Sequence, residues 1–547
     1  MFSPPLQFEA SNLPAIYEEP PSPEEIFLSL YQTDIRQWLL QSQAWWHETP
    51  QIARERYDLP VCRYRFRPLD GYQSNPFYPR RGQAGQPFAR ALSAAYGDGA
   101  GFPAGLGRPS PRAVSTALAS AEPLPNELLL TDMFWAWGQF ISHDLSYTEP
   151  SEAEIESLKI KVPVGDSVFD PESSDMVWLP YQRTQSGEID GVRQQRNLTT
   201  PYLDASQLYG TDERRTTALR TFRDGRLKLT DRDRMLPYNR TGLPNVAGPS
   251  EYLYLSGDVR ANEHIALTAL HTLFYREHNR LVDEIKRRMP GLSDEELFHF
   301  ARELVAAELQ QITYNEFLPL LLGFALPEYR GFDAEQDPQL RNEFATAAFA
   351  LWYSMMPGEF LLADSTGDAV GGSPFPLREG FFAPWLLWYE SDLEFILHGL
   401  TLGVAQAIDP TVDAQLVDFA FEASGLPPVD LIAVTIQRGR DHGLPSFLEL
   451  RAHYGLPPLA DFEELTQDAL LAEALRELYG ELDRLDAWVG LLAEAKAPGA
   501  PIGPTLQQII TDQFLRLRAG DRFWHERRLR PELADLVEGI TLAEVIR

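Results

Sequence analysis

Gln139 and His143 stand four apart in the run Trp137-Gly138-Gln139-Phe140-Ile141-Ser142-His143-Asp144. On a helix they lie one above the other on a single face. A neutral imidazole with a carboxamide beside it can take a proton from a peroxide and hand it on. Alone, such a pair is more often a satisfied polar contact than a catalytic one. Asp144 leaves the same helix on another face, where it could hold a cation. A later run, Thr199-Thr200-Pro201-Tyr202-Leu203-Asp204-Ala205-Ser206, alternates Thr200, Tyr202, Asp204 and Ser206. An extended loop would aim their hydroxyls, carboxylate and backbone carbonyls at one point, an all-oxygen set suited to calcium.

Further segments give these residues a context. They are Gly257-Asp258-Val259-Arg260-Ala261-Asn262-Glu263-His264 and Ile436-Gln437-Arg438-Gly439-Arg440-Asp441-His442, with Leu69-Asp70-Gly71, Pro109-Ser110-Pro111-Arg112 and Gly520-Asp521-Arg522-Phe523-Trp524. In order and spacing they resemble the animal haem peroxidase (peroxidase–cyclooxygenase) superfamily, in particular its bacterial members, over residues 60–547. The resemblance implies a mainly α-helical catalytic domain with few short strands and long loops. It implies haem b and Ca2+ as cofactors, and as partners a peroxide or organic hydroperoxide with a small organic donor. It assigns acid–base catalysis to His143, and contacts with the distal water, peroxide or a halide to Gln139. It makes Arg260 the fixed cation that favours developing negative charge, and Arg438 the partner of a haem propionate. Calcium ligands fall on Asp144, Thr200, Tyr202 (through its carbonyl), Asp204 and Ser206. Of the two ester positions that link haem in many vertebrate members, one is Ser142, which cannot form the ester; the other, Glu263, leaves at most one link. His264 excludes a sulfonium link.

The proximal side departs from the family pattern. Where that pattern is close to Ala-Phe-Arg-Phe-Gly-His-Ser, this chain reads Ala348-Phe349-Ala350-Leu351-Trp352-Tyr353-Ser354. Tyr353 stands at the axial position, Trp352 at the glycine, and Thr435 where an Asn normally accepts the proximal imidazole N–H. One reading is a phenolate bound to ferric haem, as in catalase. This leads either to a peroxidase or to a catalase-like or fatty-acid-hydroperoxide-rearranging enzyme. The other reading is that Trp352 and Tyr353 fill the proximal cavity, leaving a haem-free homologue with a binding or haem-independent role. The repeat of His264, His271 and His278 every seven residues reads as a packed helix face rather than a metal site.

The elements that must carry these residues are mostly helical. The apolar spacing predicts a distal helix over residues 127–146 and a long helix over 264–289. Another starts at a Ser293/Glu296 capping box and runs to Pro319. The proximal helix is expected over 343–356, and further helices over 413–424, 429–437 and 464–496. Residues 60–115 and 150–200 read as irregular segments, the latter with short strands. Residues 1–59 form an arm and one helix before the catalytic domain. With 547 residues, 44% of them hydrophobic, the chain can bury a large core, and a net charge of -31 argues against nucleic acid or an anionic membrane as partner. The single cysteine, Cys62, excludes an intrachain disulfide. Neither a signal-like N-terminus nor a transmembrane-length apolar run is seen, so the cytoplasm is the expected location.

Overall fold

The computed structural model describes residues 66–547 except 121–123, 152–156, 170–176, 231–233, 247, 388–391 and 419–428. The arm and helix expected before residue 60, and Cys62, lie outside the described residues. Ser110 caps the first helix among the described residues, α1 (Pro111–Leu118), by accepting the Arg112 N–H, and Pro111 takes a first-turn position where no N–H is required. The distal helix, α2 (Asp132–Leu145), is shorter than expected and buries every residue but Ser142. A helix apolar or tightly partnered all round belongs inside a large core, and α2 packs against several others.

Residues 150–200 carry the expected short strands. β1 (Ser157–Lys161) pairs antiparallel with β2 (Trp178–Gln182), and β3 (Ser186–Ile189) with β4 (Val192–Gln195). Asp190 and Gly191 close the second hairpin, both at positive φ (53° and 78°), as a two-residue hairpin turn of this type requires. The chain then forms the single turn α3 (Ser206–Tyr209) and the long α4 (Ile265–Arg288), whose N-cap is His264. Lys286, Arg287 and Arg288 sit in its last turn, where cations favour the helix dipole. The next helix, α5 (Asp294–Ile312), begins at the Ser293/Glu296 capping box. It does not stop at Pro319. A π-turn over Thr313–Phe317 shifts the hydrogen-bond register, and Pro319 falls in the first turn of a following piece, Leu318–Leu322.

The proximal segment is not one helix. A π-turn, Phe344–Ala348, is followed by a break, and helix resumes only at α6 (Trp352–Met355). At the break Phe349 stacks on Phe344, and Trp488 Nε1–H donates to the Ala350 carbonyl (3.1 Å), replacing a bond within the helix. α7 (Leu431–Asp441) is capped by Asp430 and runs past the expected end. The region 464–496 is split into Phe462–Leu465, Ala469–Tyr479, Leu482–Arg484 and Ala487–Ala493. Asp468 caps the second piece and Gly480, at positive φ, ends it. Of the helix expected over 413–424, Ala414–Val417 is seen and the rest falls outside the described residues. No helix among the described residues is long and apolar enough to cross a membrane.

Candidate functional site

α2 delivers Gln139 and His143 to one face, the turn before α4 brings Arg260 and Glu263, α6 brings Tyr353, and α7 brings Arg438. His143 Nε2 lies 3.9 Å from Glu263 Oε2, and its Nδ1 lies 4.0 Å from Asp258 Oδ1. Burial, reinforced by the Arg260 cation, drives the imidazole pKa well below its ordinary value, so His143 is neutral near pH 7. Burial also pushes Glu263 up, to about 7, although Arg260 and Arg438 pull the other way. The Glu263 and Arg260 side chains keep 16% and 18% exposure against 6% for His143, so the site opens to solvent on their side.

Gln139 is more committed than its sequence position suggested. His264 Nδ1 accepts the Leu267 N–H, which leaves the Nε2–H to donate to Gln139 Oε1 at 3.0 Å. The Gln139 amide then donates to Glu263 Oε1 at 3.3 Å. Arg260 is committed too. It forks onto Asp258 (2.9 and 2.6 Å) and donates to the carbonyls of Ser146 (2.9 Å) and His143 (3.3 Å), clamping the end of α2. Sequence reasoning gave Asp258 no role; the signal was an acid two residues before a functional arginine. His264, His271 and His278 are all buried along α4 as a packed face.

Asp144 and Ser206 meet directly. The Asp144 carboxylate accepts the backbone N–H groups of Asp204 (3.1 Å), Ala205 (3.1 Å) and Ser206 (2.6 Å), and the Ser206 hydroxyl (2.8 Å). Ala205 sits at φ 63°, the left-handed conformation that turns these N–H groups inward. Asp204 and Thr200 are buried beside it, and neither Asp204 carboxylate oxygen nor Thr200 Oγ1 has a hydrogen-bond partner among the described residues. Arg67 Nε and Arg302 Nη2 approach Asp204 Oδ2 only to 3.7 and 3.9 Å. Burial and the neighbouring Asp204 raise Asp144 to about 8, and burial raises Asp204 as well. Tyr202 is fully buried, its ring beneath Arg67.

The proximal residues close in from below. Tyr353 is half-buried next to Glu263, Arg438 and Arg260, and burial pushes its phenol up to about 12. Trp352 is 3% exposed, and the six-membered ring of its indole packs against Gly138 of α2. A Cβ placed on Gly138 would stand 2.2 Å from two carbons of that ring. Thr435 spends its hydroxyl on the Leu431 carbonyl (2.8 Å) within α7.

A protein-family model described as animal haem peroxidase matches residues 66–547. The chain belongs to the animal haem peroxidase family. It is therefore a peroxidase-family oxidoreductase, and its mainly helical fold is the family's. It is 34% identical over 501 residues to Peroxinectin A of Dictyostelium discoideum, spanning 88% of this chain and 93% of that protein. The solved structure of Peroxidase A from Dictyostelium discoideum superposes with a TM-score of 0.81 at 33% identity, covering 88% of this chain and 96% of the other. A fatty acid alpha-dioxygenase from Oryza sativa shares the fold, with a TM-score of 0.74 at 22% identity and coverage of 93% and 92%. These relatives are eukaryotic, and the nearer likeness to bacterial members finds no support among them.

The family implies haem. On the distal side a neutral His143 and the fixed Arg260 fit it. On the proximal side the residues, as they stand, do not. A flat macrocycle needs about 3.5–4 Å to the nearest atoms on each face. Trp352, beside the axial position, instead touches Gly138, beside Gln139 on the opposite face. The residues expected to hold calcium are different: Asp204 and Thr200 carry buried oxygens without hydrogen-bond partners among the described residues, a donor set of the kind a hard cation takes, although Arg67 and Arg302 already stand 3.7 and 3.9 Å from Asp204.

Proposed function

We propose that this chain processes hydrogen peroxide or an organic hydroperoxide, with His143 as its acid–base group and Arg260 as the cation that steadies negative charge on the substrate oxygen. The observation that carries this reading is a buried, neutral His143 with Arg260, Gln139 and Glu263 around it. The imidazole accepts the hydroperoxide proton and returns it to the oxygen that leaves as the O–O bond breaks, the two electrons and two protons that carry the remaining oxygen to water coming from a small organic donor that is oxidised; Glu263, 3.9 Å from Nε2 and ionising near neutrality, can hold the proton in between. Gln139, held between His264 and Glu263, orients the carboxylate. Were haem admitted, Tyr353 would hold its iron, and Arg438 is the cation that would lower its phenol pKa. A small organic donor completes the turnover. Peroxide consumption by the full chain and by His143→Gln tests the assignment; equal rates would remove it.

Asp144, Thr200, Asp204, Ser206 and the Tyr202 carbonyl are read as a calcium site that stiffens the loop already hydrogen-bonded to Asp144. Calcium would add positive charge between two buried carboxyl groups, of which Asp204 already has Arg67 and Arg302 at 3.7 and 3.9 Å. The haem-free reading also has an observation in its favour, the contact of Trp352 with Gly138. It makes the chain a homologue whose proximal half has been rebuilt by side chains.

A further inference from the structure

We propose that the Trp352 indole and haem are mutually exclusive occupants of one space, so that Trp352 acts as a plug in the cofactor slot. The proposal rests on the peroxide-processing reading of the site. Trp352 reaches across from α6 and packs on Gly138, the one position of that turn of α2 with no side chain to hold it off. Phe349 meets the indole edge-on at 4.9 Å, and Phe317 of the π-turn tilts against it at 5.6 Å. Both elements that hold the ring are local irregularities: the π-turn before Leu318 and the helix break at residues 349–351. The indole Nε1–H finds no acceptor among the described residues, so packing alone seats the ring. Of the polar groups that would face a cofactor, Glu263, Arg438 and Arg260 lie near Tyr353, the residue after Trp352 in α6, and Glu263 and Arg260 keep an opening to solvent. The plug therefore fills the space between α6 and Gly138 of α2 and leaves these polar groups in place.

The test is a hemin titration of the purified full chain, read by the Soret band and by haem stoichiometry. The expected result is weak, substoichiometric uptake by the wild type and stoichiometric, faster uptake by Trp352→Gly, with Trp352→Ala as a second variant should glycine unsettle the short α6. Equal uptake by wild type and variants overturns the plug, and so does failure of both variants to bind while they melt cooperatively. Gly138→Ala supplies an independent readout. Its methyl group collides with the seated ring, so it lowers the melting temperature in the wild-type background and not in Trp352→Gly. The same cost in both backgrounds overturns the contact itself. Peroxide turnover that ignores His143→Gln, in a chain whose haem uptake responds to Trp352, refutes the peroxide reading and leaves the plug standing.

Discussion

At the scale of single residues, burial sets the protonation states here more than charge pairing does. His143 is held neutral although Asp258 and Glu263 both lie near it. Replacing it by Gln preserves size and removes the proton carrier, and peroxide consumption should fall by about 10²–10⁴-fold, the usual worth of a general acid–base group. Asp132 gives a cleaner test of burial. It stands in the first turn of α2, where the helix N-terminus favours a charge by roughly 0.3–1 kcal/mol, and it accepts the Trp135 Nε1–H at 2.9 Å. Burial outweighs both and raises the carboxyl from 3.8 to about 7. The stabilising contribution of its protonated form is therefore complete below the ordinary carboxylate range and is lost as pH rises through about 7. Asp132→Asn keeps the acceptor and cannot ionise. Melting curves should place it above the wild type near pH 8 and level with it near pH 4; parallel pH profiles would show that Asp132 does not titrate in the fold.

At the scale of elements, the end of α2 is fixed twice, by Arg260 on its last carbonyls and by Asp144 on the backbone of α3 and its approach. The second fixing includes Asp204, whose carboxylate has no hydrogen-bond partner among the described residues. With calcium present at about a hundred times its dissociation constant, binding would stabilise the fold by about 2.7 kcal/mol. A chelator should then lower the melting temperature of the wild type, and Asp204→Ala should start lower and ignore the chelator. Identical chelator responses would remove the calcium assignment.

At the scale of the whole molecule, buried ion clusters join segments hundreds of residues apart. Arg112 in α1 donates to Asp166, to Asp430 at the start of α7 and to the Val417 carbonyl, and it is almost fully buried. Removing it strands two buried carboxylates. Arg112→Ala should cost about 3–5 kcal/mol, seen as a lower urea midpoint at unchanged slope. A change below about 1 kcal/mol would show that the cluster relaxes or fills with water. Arg67 and Asp521 make a similar link from the first described residues to the C-terminal part.

The sequence by itself determined the family, the mainly helical class and the helices whose starts are written locally, such as the one that begins at the Ser293/Glu296 box. It also brought His143, Arg260, Glu263 and Tyr353 to one site, because long ordered motifs constrain position even when single residues do not. The partnerships were decided by tertiary structure. Nothing in the spacing of Gln139 told that His264 would claim its carbonyl, and nothing local marked Asp258 as the anchor of Arg260. The proximal helix reads as continuous in periodicity, yet it breaks at residues 349–351, where Trp488, far along the chain, takes a carbonyl. Most of all, sequence left Trp352 with two readings, because whether an indole fills a cavity depends on what stands opposite. Only the packed structure sets Gly138 there, and a glycine is what lets the two helices meet through one ring.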